Sequence, residues 1–245
     1  MNWPHQWADQ QAQKGVAIKI RARVFRGWLP YYLHFELSGG VKARVLVDVM
    51  GGTAVQGQKR FRWSNAATTL WKAMKFLYLL RHAKSSWKDP GLDDHDRPLN
   101  KRGRQAAKLM ATYLRRSEIT PDVVICSTAT RAKETLDPIV KAINPPKVIL
   151  ERKIFGGTQN ELWEQLWNIP KSAKSVLLIG HNPALQNLAL ELAQTEKPLP
   201  FAGNKFLTCA MASFRFRGAW KALEPHGAKL ISFITPKTIA DIGMS

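Results

Sequence analysis

Cysteine, acidic side chains and long apolar runs are all scarce in this chain of 245 residues. Two cysteines, Cys126 and Cys209, are too few for a disulfide scaffold or a cysteine zinc site, and their apolar neighbours predict two small buried side chains. No stretch reaches the roughly 18 to 20 apolar residues that span a bilayer. The first fifteen residues lack the apolar segment of a secretory signal. We therefore expect a cytoplasmic protein with no membrane partner.

Acidic residues number 18 against 37 lysines and arginines, which gives a formal net charge of +19. Such a surplus favours polyanionic partners, either nucleic acid or phosphorylated substrates, although much of it is also compatible with ordinary solvated surface. The sequence contains no zinc-finger pattern and no RNA-recognition aromatic signature that would support a nucleic-acid module. We expect nucleic-acid binding, if any, only through the first 73 residues.

The chain divides by composition into residues 1–73 and residues 74–245. The first segment holds five of the nine tryptophans and carries eleven Lys/Arg against three Asp/Glu. Two stretches in it, Val16–Val24 and Val41–Val47, are rich in β-prone residues, and the first alternates apolar with basic residues as a half-buried strand does. From Met74 onward, predicted strands alternate with predicted helices, which indicates a parallel or mostly parallel sheet.

Six strands and four helices are predicted in the second segment. The strands are Lys75–Leu80, Val123–Cys126, Lys147–Leu150, Val176–Ile179, Phe214–Phe216 and Leu230–Ile234. The helices are Lys101–Arg116, Lys133–Ile143, Asn160–Trp167 and Ala184–Ala193. Asn100 is a good N-cap for the first helix, because its side chain can accept a hydrogen bond from a free helix amide.

Titratable groups follow three of these strands at their carboxyl ends. Arg81 and His82 end the first, Arg131 follows the second, and His181 follows the strand that ends at Ile179. Taken singly, each of these is also compatible with an ordinary polar surface side chain. Ligands bind at the carboxyl ends of parallel strands, so adjacent strands would bring all four groups into one cationic pocket. Such a pocket suits phosphoryl transfer, which depends mostly on positioning and on stabilisation of charge.

The chemistry of the side chains suggests a role for each. His82, which lies close to a strand end and beside Arg81, is the expected nucleophile and would form a phosphohistidine intermediate. Arg81 and Arg131 would each grip phosphoryl oxygens as a bidentate fork. His181 would donate to the same oxygens. Two hydroxyls, Ser127 and Ser85, would add neutral hydrogen bonds.

Four segments carry a resemblance to a known family. Leu80–Trp87 (LRHAKSSW) resembles the opening of the histidine phosphatase superfamily, in the variant of its SixA-type phosphohistidine phosphatase branch. Asp96–Ala107 (DRPLNKRGRQAA) resembles the family segment RPL-x-x-x-G-x-x-x-A, although Asn100 stands where the family often has Thr. Ser127–Thr135 (STATRAKET) resembles S-x-x-x-R-A-x-x-T, and Leu178–Pro183 (LIGHNP) resembles the second-histidine segment. The resemblance covers about 74–245 and none of 1–73.

The resemblance implies a three-layer α/β/α sandwich with a mostly parallel central sheet, as in phosphoglycerate mutases. It also implies a phosphatase that needs no metal and no cofactor, with His82 as nucleophile and with Arg81, Arg131 and His181 as phosphate ligands. It does not supply a general acid. Glu151 and Glu161 are the nearest candidates in the sequence, and both are equally compatible with solvated surface charge.

The expected function is removal of a phosphoryl group, from phosphohistidine on a protein or from a small phosphorylated substrate. A missing acid would favour phosphohistidine, since a protonated phosphoramidate leaves as neutral imidazole whereas an alkoxide needs a proton. The alternatives are a small phosphate-ester phosphatase or mutase of the same superfamily, a non-catalytic phosphate-binding adapter, and a nucleic-acid-binding protein dominated by 1–73.

Three interpretations of residues 1–73 stay open. Members of the SixA-type branch commonly begin where Met74 stands, so the segment could be translated upstream sequence that the natural protein lacks. It could instead be a basic module that binds nucleic acid or a phosphorylated partner. The third interpretation is a small β-appendage.

Overall fold

The computed structural model describes the backbone of residues 18–21, 31–37 and 42–47, and it describes residues 74–195, 198–203 and 206–243. The chain divides into two units, Met1–Phe61 and Arg62–Ser245. Residues 48–73 lie outside the described residues, so the domain boundary expected at residue 73 stays a prediction.

Three antiparallel strands are described in the first unit. β1 (Ile18–Arg21) pairs with β2 (Tyr31–Leu37), and β2 pairs with β3 (Lys42–Val47). The first and third fall within the stretches predicted from the sequence. The second was not predicted, although its composition, YYLHFEL, is rich in β-prone aromatic residues.

In the described part of the second unit, six strands form one sheet in the order β6-β5-β7-β4-β8-β9. Their bounds are Met74–Arg81 (β4), Val123–Ser127 (β5), Val148–Glu151 (β6), Ser175–Gly180 (β7), Met211–Arg217 (β8) and Lys229–Ile234 (β9). The first four run parallel, whereas β8 is antiparallel to both of its neighbours. The six predicted strands are therefore all present, most of them longer at one or both ends.

Within the described residues of the second unit, five α-helices accompany the sheet. They are α1 (Lys101–Arg116), α2 (Thr130–Ile143), α3 (Gln159–Trp167), α4 (Ala184–Leu192) and α5 (Pro236–Asp241). α1 packs against α2 and α5, and α3 packs against α4. Buried residues of α3 and α4 share one core with Leu77, Leu79, Val176 and Leu178, whose side chains alternate along β4 and β7. Strands buried on both faces are typical of a sheet sandwiched between helix layers, and the predicted three-layer sandwich is confirmed.

The start of α2 differs from the prediction. The helix begins at Thr130, three residues before the predicted start at Lys133. The Ser127 hydroxyl accepts a hydrogen bond from the Ala129 amide at 3.3 Å, so the chain turns directly from β5 into the helix. Arg131 consequently lies in the first turn of a helix rather than in a loop, which fixes the direction of its backbone.

In the part of the chain that the structure describes, no helix combines the length and the apolar character needed to cross a membrane.

Candidate active site

The four titratable groups predicted from the sequence lie at the ends of three adjacent strands. β7 lies between β5 and β4, and all three run in the same direction. Arg81 is the last residue of β4, and the His82 amide donates to the carbonyl of Gly180, the last residue of β7, at 3.0 Å. The His82 and His181 rings lie with their centroids 4.8 Å apart. The structure therefore brings the two histidines into contact.

His82 is held in one tautomer. Its Nδ1 lies 2.7 Å from the Ala83 carbonyl oxygen, and a carbonyl can only accept, so Nδ1 carries the proton. The neutral ring then has an unprotonated Nε2 with a lone pair. The side chain is only 7% exposed. Such a ring is oriented as a nucleophile, because attack requires the lone pair and a fixed direction.

His181 bonds to the neighbouring strand end. Its Nε2 lies 2.8 Å from the Ser127 hydroxyl oxygen, which joins the ends of β7 and β5. Its Nδ1 is buried and has no hydrogen-bond partner among the described residues. A buried polar atom without a partner is costly, so its presence between two strand ends indicates a group that bonds to something other than the protein.

Burial and the surrounding guanidinium groups lower the pKa of both histidines. The pKa of His82 falls to about 4, mainly through burial and then through the charges of Arg131, Arg81 and Arg97, although the bond to Ala83 opposes the shift. The pKa of His181 falls to about 3, through burial and then through His82 and Arg131. Both rings are therefore neutral at physiological pH, as nucleophilic attack by His82 requires.

Arg81 lies at the end of β4, next to His82. One of its terminal nitrogens, Nη1, donates to the Phe206 carbonyl at 2.6 Å, and its buried Nε has no partner in the part of the chain that the structure describes. Burial and then the charge of Arg131 lower its pKa. The guanidinium is anchored at one end and keeps an unpaired N–H for another acceptor.

Arg131 is held by an acidic residue that the sequence interpretation did not include. Its Nη2 lies 2.9 Å from Asp94 Oδ2, and its Nη1 donates to the Asp94 backbone carbonyl. The other carboxylate oxygen of Asp94 accepts from Arg97 Nη1 at 2.5 Å. These two bonds lower the pKa of Asp94, although burial opposes the shift. One carboxylate thus aligns two guanidinium groups.

Arg97, only 5% exposed, extends the cationic cluster. Its Nη2 donates to the Ser85 hydroxyl at 2.7 Å and its Nε donates to the Ser86 carbonyl at 3.0 Å. The hydroxyl of Ser85, predicted to bond a phosphoryl group, is therefore already an acceptor for this arginine. Arg97 belongs to the quoted segment Asp96–Ala107, which held a signal for it, whereas Asp94 lies outside that segment.

Residues of the quoted segments support the backbone after β4. The Ala83 amide donates to the Thr135 hydroxyl at 3.0 Å, and that hydroxyl donates to the Arg131 carbonyl at 2.6 Å. The Lys84 carbonyl accepts from the Asn100 amide at 3.0 Å. A Cβ at Gly103 would lie 2.1 Å from the Lys84 carbonyl oxygen, so only glycine permits this approach of α1. The predicted N-cap is confirmed, with Asn100 Oδ1 2.8 Å from the Gly103 amide.

Phe155 forms one wall of the pocket. Its ring makes edge contacts with His181, at 5.6 Å between centroids, and with His95, at 4.9 Å. The guanidinium carbons of Arg131 and Arg152 lie 5.5 Å and 4.8 Å from its centroid. The sequence interpretation missed this residue, because it follows the short edge strand β6 and carries no titratable group.

The two carboxylates considered as general acids serve as local caps. Glu161 Oε2 accepts from the Thr158 amide at 2.8 Å and from its hydroxyl, closing a capping box at the start of α3. These bonds lower the pKa of Glu161, which is the wrong direction for an acid that must donate near neutral pH. Glu151 accepts from the Lys153 amide at 2.9 Å. These contacts do not support a general-acid role for Glu151 or Glu161, which stays a prediction.

Comparison with known proteins shows which family this chain resembles. The family model of the histidine phosphatase superfamily (branch 1) matches residues 77–154. An uncharacterised protein of Mycobacterium tuberculosis is 36% identical over 162 residues, which is 64% of this chain and 100% of that protein. The phosphohistidine phosphatase SixA of Escherichia coli is 30% identical over 145 residues, which is 56% of this chain and 83% of that protein. The chain belongs to the histidine phosphatase superfamily.

Solved structures assigned to SixA phosphohistidine phosphatases share the fold of this histidine phosphatase. One from Nakamurella multipartitia is 30% identical, covers 66% of this chain and 96% of its own, and gives a TM-score of 0.58. One from Agrobacterium tumefaciens is 29% identical, covers 66% of this chain and 98% of its own, and gives 0.57. The resemblance to the SixA-type branch is therefore confirmed, and the histidine phosphatase is a hydrolase of phosphoryl groups.

Proposed function

We propose that this histidine phosphatase removes the phosphoryl group from phosphohistidine on a protein, through a phosphohistidine intermediate on His82. The observation that supports the intermediate is the Nδ1 bond to the Ala83 carbonyl, which leaves Nε2 as the lone-pair nitrogen. The lowered pKa, about 4, keeps that ring neutral and ready to attack. In the first step Nε2 bonds to phosphorus and the bond to the leaving group breaks. In the second step water attacks the phosphohistidine and releases phosphate.

The other groups hold the phosphoryl oxygens. Arg81 Nε and His181 Nδ1 are buried polar atoms without partners among the described residues, and both belong to residues at the ends of adjacent strands. If the Ser127 hydroxyl donates to His181 Nε2, then Nδ1 carries the proton and can donate to a phosphoryl oxygen. Arg131, fixed by Asp94, directs positive charge at the same place. Donors fixed in advance stabilise the developing charge without reorganisation, which is how phosphoryl transfer is accelerated.

Protein phosphohistidine is favoured over small esters by the likeness to SixA proteins. SixA of Escherichia coli carries the name phosphohistidine phosphatase, and it matches over 83% of its length. The carboxylates considered as acids, Glu151 and Glu161, are both occupied in caps. A phosphoramidate demands less protonation than an alkoxide, so dephosphorylation of phosphohistidine does not depend on either carboxylate as an acid.

The test is to trap the phosphoenzyme. The full-length protein would be mixed with a protein phosphorylated on histidine and, separately, with p-nitrophenyl phosphate, and quenched on the millisecond scale. We expect an acid-labile phosphoenzyme that forms faster from the phosphoprotein and is absent from His82→Asn. The matched control is His226→Gln, whose histidine bonds the Ala193 carbonyl and lies in none of the pocket contacts above.

Each outcome has a clear meaning. A phosphoenzyme that persists in His82→Asn would refute the nucleophile. Faster labelling by p-nitrophenyl phosphate and other small esters would refute the proposed substrate class but keep the mechanism. No phosphoenzyme from either substrate, with inorganic phosphate still bound, would refute the activity and favour a phosphate-binding adapter.

A further inference from the structure

A chain of three hydrogen-bonded groups stands beside the pocket and has no part in the proposed mechanism. Asp96 Oδ1 lies 2.7 Å from His95 Nδ1, and His95 Nε2 lies 3.0 Å from the Thr128 hydroxyl oxygen. Carboxylate, imidazole and hydroxyl in this order are arranged as in groups that move protons. None of the three was singled out from the sequence.

This hydrogen-bonded series adjoins the groups that are proposed to hold the phosphoryl oxygens. Thr128 follows Ser127, whose hydroxyl bonds His181. His95 follows Asp94, the anchor of Arg131. The ring of Phe155 makes edge contacts with both His95 and His181, so one aromatic side chain links the two imidazoles.

The exposure of these groups matches the position of a leaving group. The proposed nucleophile His82 is only 7% exposed, so it is more deeply buried than His95 and Thr128. In an in-line displacement the leaving oxygen points away from the nucleophile, towards the opening. The side chain of His95 is 26% exposed, and Thr128 is half-buried. A proton donor for the leaving oxygen should be more exposed than the nucleophile, as His95 and Thr128 are.

We propose that Asp96, His95 and Thr128 form a proton relay for the leaving group, an inference that rests on the proposed phosphatase function. When the bond between phosphorus and the leaving oxygen breaks, the electron pair stays on that oxygen. The Thr128 hydroxyl donates its proton to the oxygen and takes one from His95 Nε2. The doubly protonated His95 ring thereby becomes neutral. Its remaining proton stays on Nδ1, which donates a hydrogen bond to Asp96.

The second half of the reaction reverses these transfers. Water that attacks the phosphohistidine at His82 gives one proton to Thr128, which passes its own proton to His95. Substrate and water are consumed, phosphate and the protonated leaving group are released, and the enzyme returns to its starting state. Imidazole suits this exchange, because it can give and accept a proton near neutral pH.

Charged and titratable groups face His95 from its own loop and from across the Phe155 ring. Asp96 bonds its ring directly, and Asp94 precedes it in the chain. Across Phe155 stand Arg131, Arg152 and His181.

The relay extends the substrate class to phosphate esters with basic leaving groups. An alkoxide needs a proton in the transition state, whereas p-nitrophenolate is a stable anion that leaves without one. The relay therefore predicts a defect that depends on the leaving group. A role in holding the loop alone would slow all substrates equally.

The experiment measures single-turnover formation of the phosphoenzyme from an alkyl phosphate and from p-nitrophenyl phosphate. We expect His95→Gln and Thr128→Val to lower the alkyl phosphate rate about 100-fold or more, the usual contribution of general acid catalysis, and to change the nitrophenyl rate less than about fivefold. Thr128→Ser keeps the hydroxyl and should restore the alkyl phosphate rate. His226→Gln is the control and should match the unmodified protein with both substrates.

Equal losses with both substrates, or none, would overturn the relay while leaving the proposed function intact. The same holds if Thr128→Val retains the alkyl phosphate rate. The protein phosphorylated on histidine separates the two proposals. Unmodified protein that is labelled by this phosphoprotein but not by the alkyl phosphate would overturn the relay and leave the proposed function intact. Unmodified protein that is labelled by none of the three substrates would overturn the proposed function, and the relay with it. The nitrophenyl rate also reports folding, since a misfolded variant would lose it.

Discussion

Acidification should destabilise this histidine phosphatase through the two histidines of its pocket. His82 and His181 are 7% and 9% exposed, and burial with nearby guanidinium groups lowers their pKa to about 4 and about 3, from the usual 6.5. In the unfolded chain both rings bind a proton below pH 6.5, whereas in the folded chain they stay neutral until much lower pH. Because the unfolded state binds more protons in this range, stability is complete above pH 6.5 and is lost as the pH falls towards 4.

The size of the loss follows from these values. Between pH 7.5 and pH 5.5 each histidine removes about 1.4 kcal/mol of unfolding free energy, since one pKa unit corresponds to about 1.4 kcal/mol. The two together remove about 3 kcal/mol, a large share of the roughly 5 to 15 kcal/mol that holds a typical protein folded. Asp94 does not contribute in this window, because its pKa lies below its usual 3.8 and its contribution is lost only at lower pH.

Urea unfolding at the two pH values, at constant ionic strength and followed by circular dichroism, measures the effect. His82→Gln and His181→Gln should each halve the pH-dependent loss, and the double variant should abolish it, whatever their stability at pH 7.5. Comparison of variants cancels the contribution of every other titrating group. A loss under about 0.5 kcal/mol in the unmodified protein, or one that survives in the double variant, would refute the assignment of two neutral buried histidines.

Two further predictions concern the groups around the histidines. Arg131→Lys keeps the positive charge but loses the two-pronged contact of the guanidinium with Asp94. We therefore expect kcat/KM to fall at least about tenfold in Arg131→Lys and further in Arg131→Ala. An unchanged kcat/KM in steady-state assays would remove Arg131 from the site. Gly103→Ala places a Cβ against the Lys84 carbonyl and should lower the free energy of unfolding by about 1 to 3 kcal/mol. The control, Gln105→Ala on the exposed face of α1, should change the free energy of unfolding by less than about 0.5 kcal/mol. Equal stability of these two variants in urea would contradict the close packing of α1.

The sequence predicted the central strands and the residues at their ends because both depend on local pattern. Buried parallel strands are continuous apolar runs, and the residue after such a run lies at the carboxyl edge of the sheet. Arg81, His82 and His181 follow this rule directly. The sequence did not determine the order of the strands in the sheet. In the structure β7 pairs with both β4 and β5, which brings these residues together.

The partners of these residues were not predictable in the same way. Asp94 and Arg131 are 37 positions apart, and the loop that carries Asp94 has no periodic pattern to fix its path. Phe155 reaches the pocket from the loop after β6, an edge strand of four residues. His95 meets Thr128 through a similar crossing of loops. Such contacts depend on tertiary packing, which spacing along the chain does not encode.

The balance of charge in the pocket explains why the histidines must be neutral. Arg81, Arg97 and Arg131 carry three positive charges, and Asp94 offsets one, so these four groups leave a charge of about +2 that matches a phosphoryl dianion. A protonated His82 would add charge to a buried cationic site and would also lose the lone pair that attacks. The same guanidinium groups that lower its pKa are those that would bind the phosphoryl oxygens. Binding of the dianion would offset their charge and raise the pKa of His181, strengthening its bond to the phosphoryl group only when substrate is present.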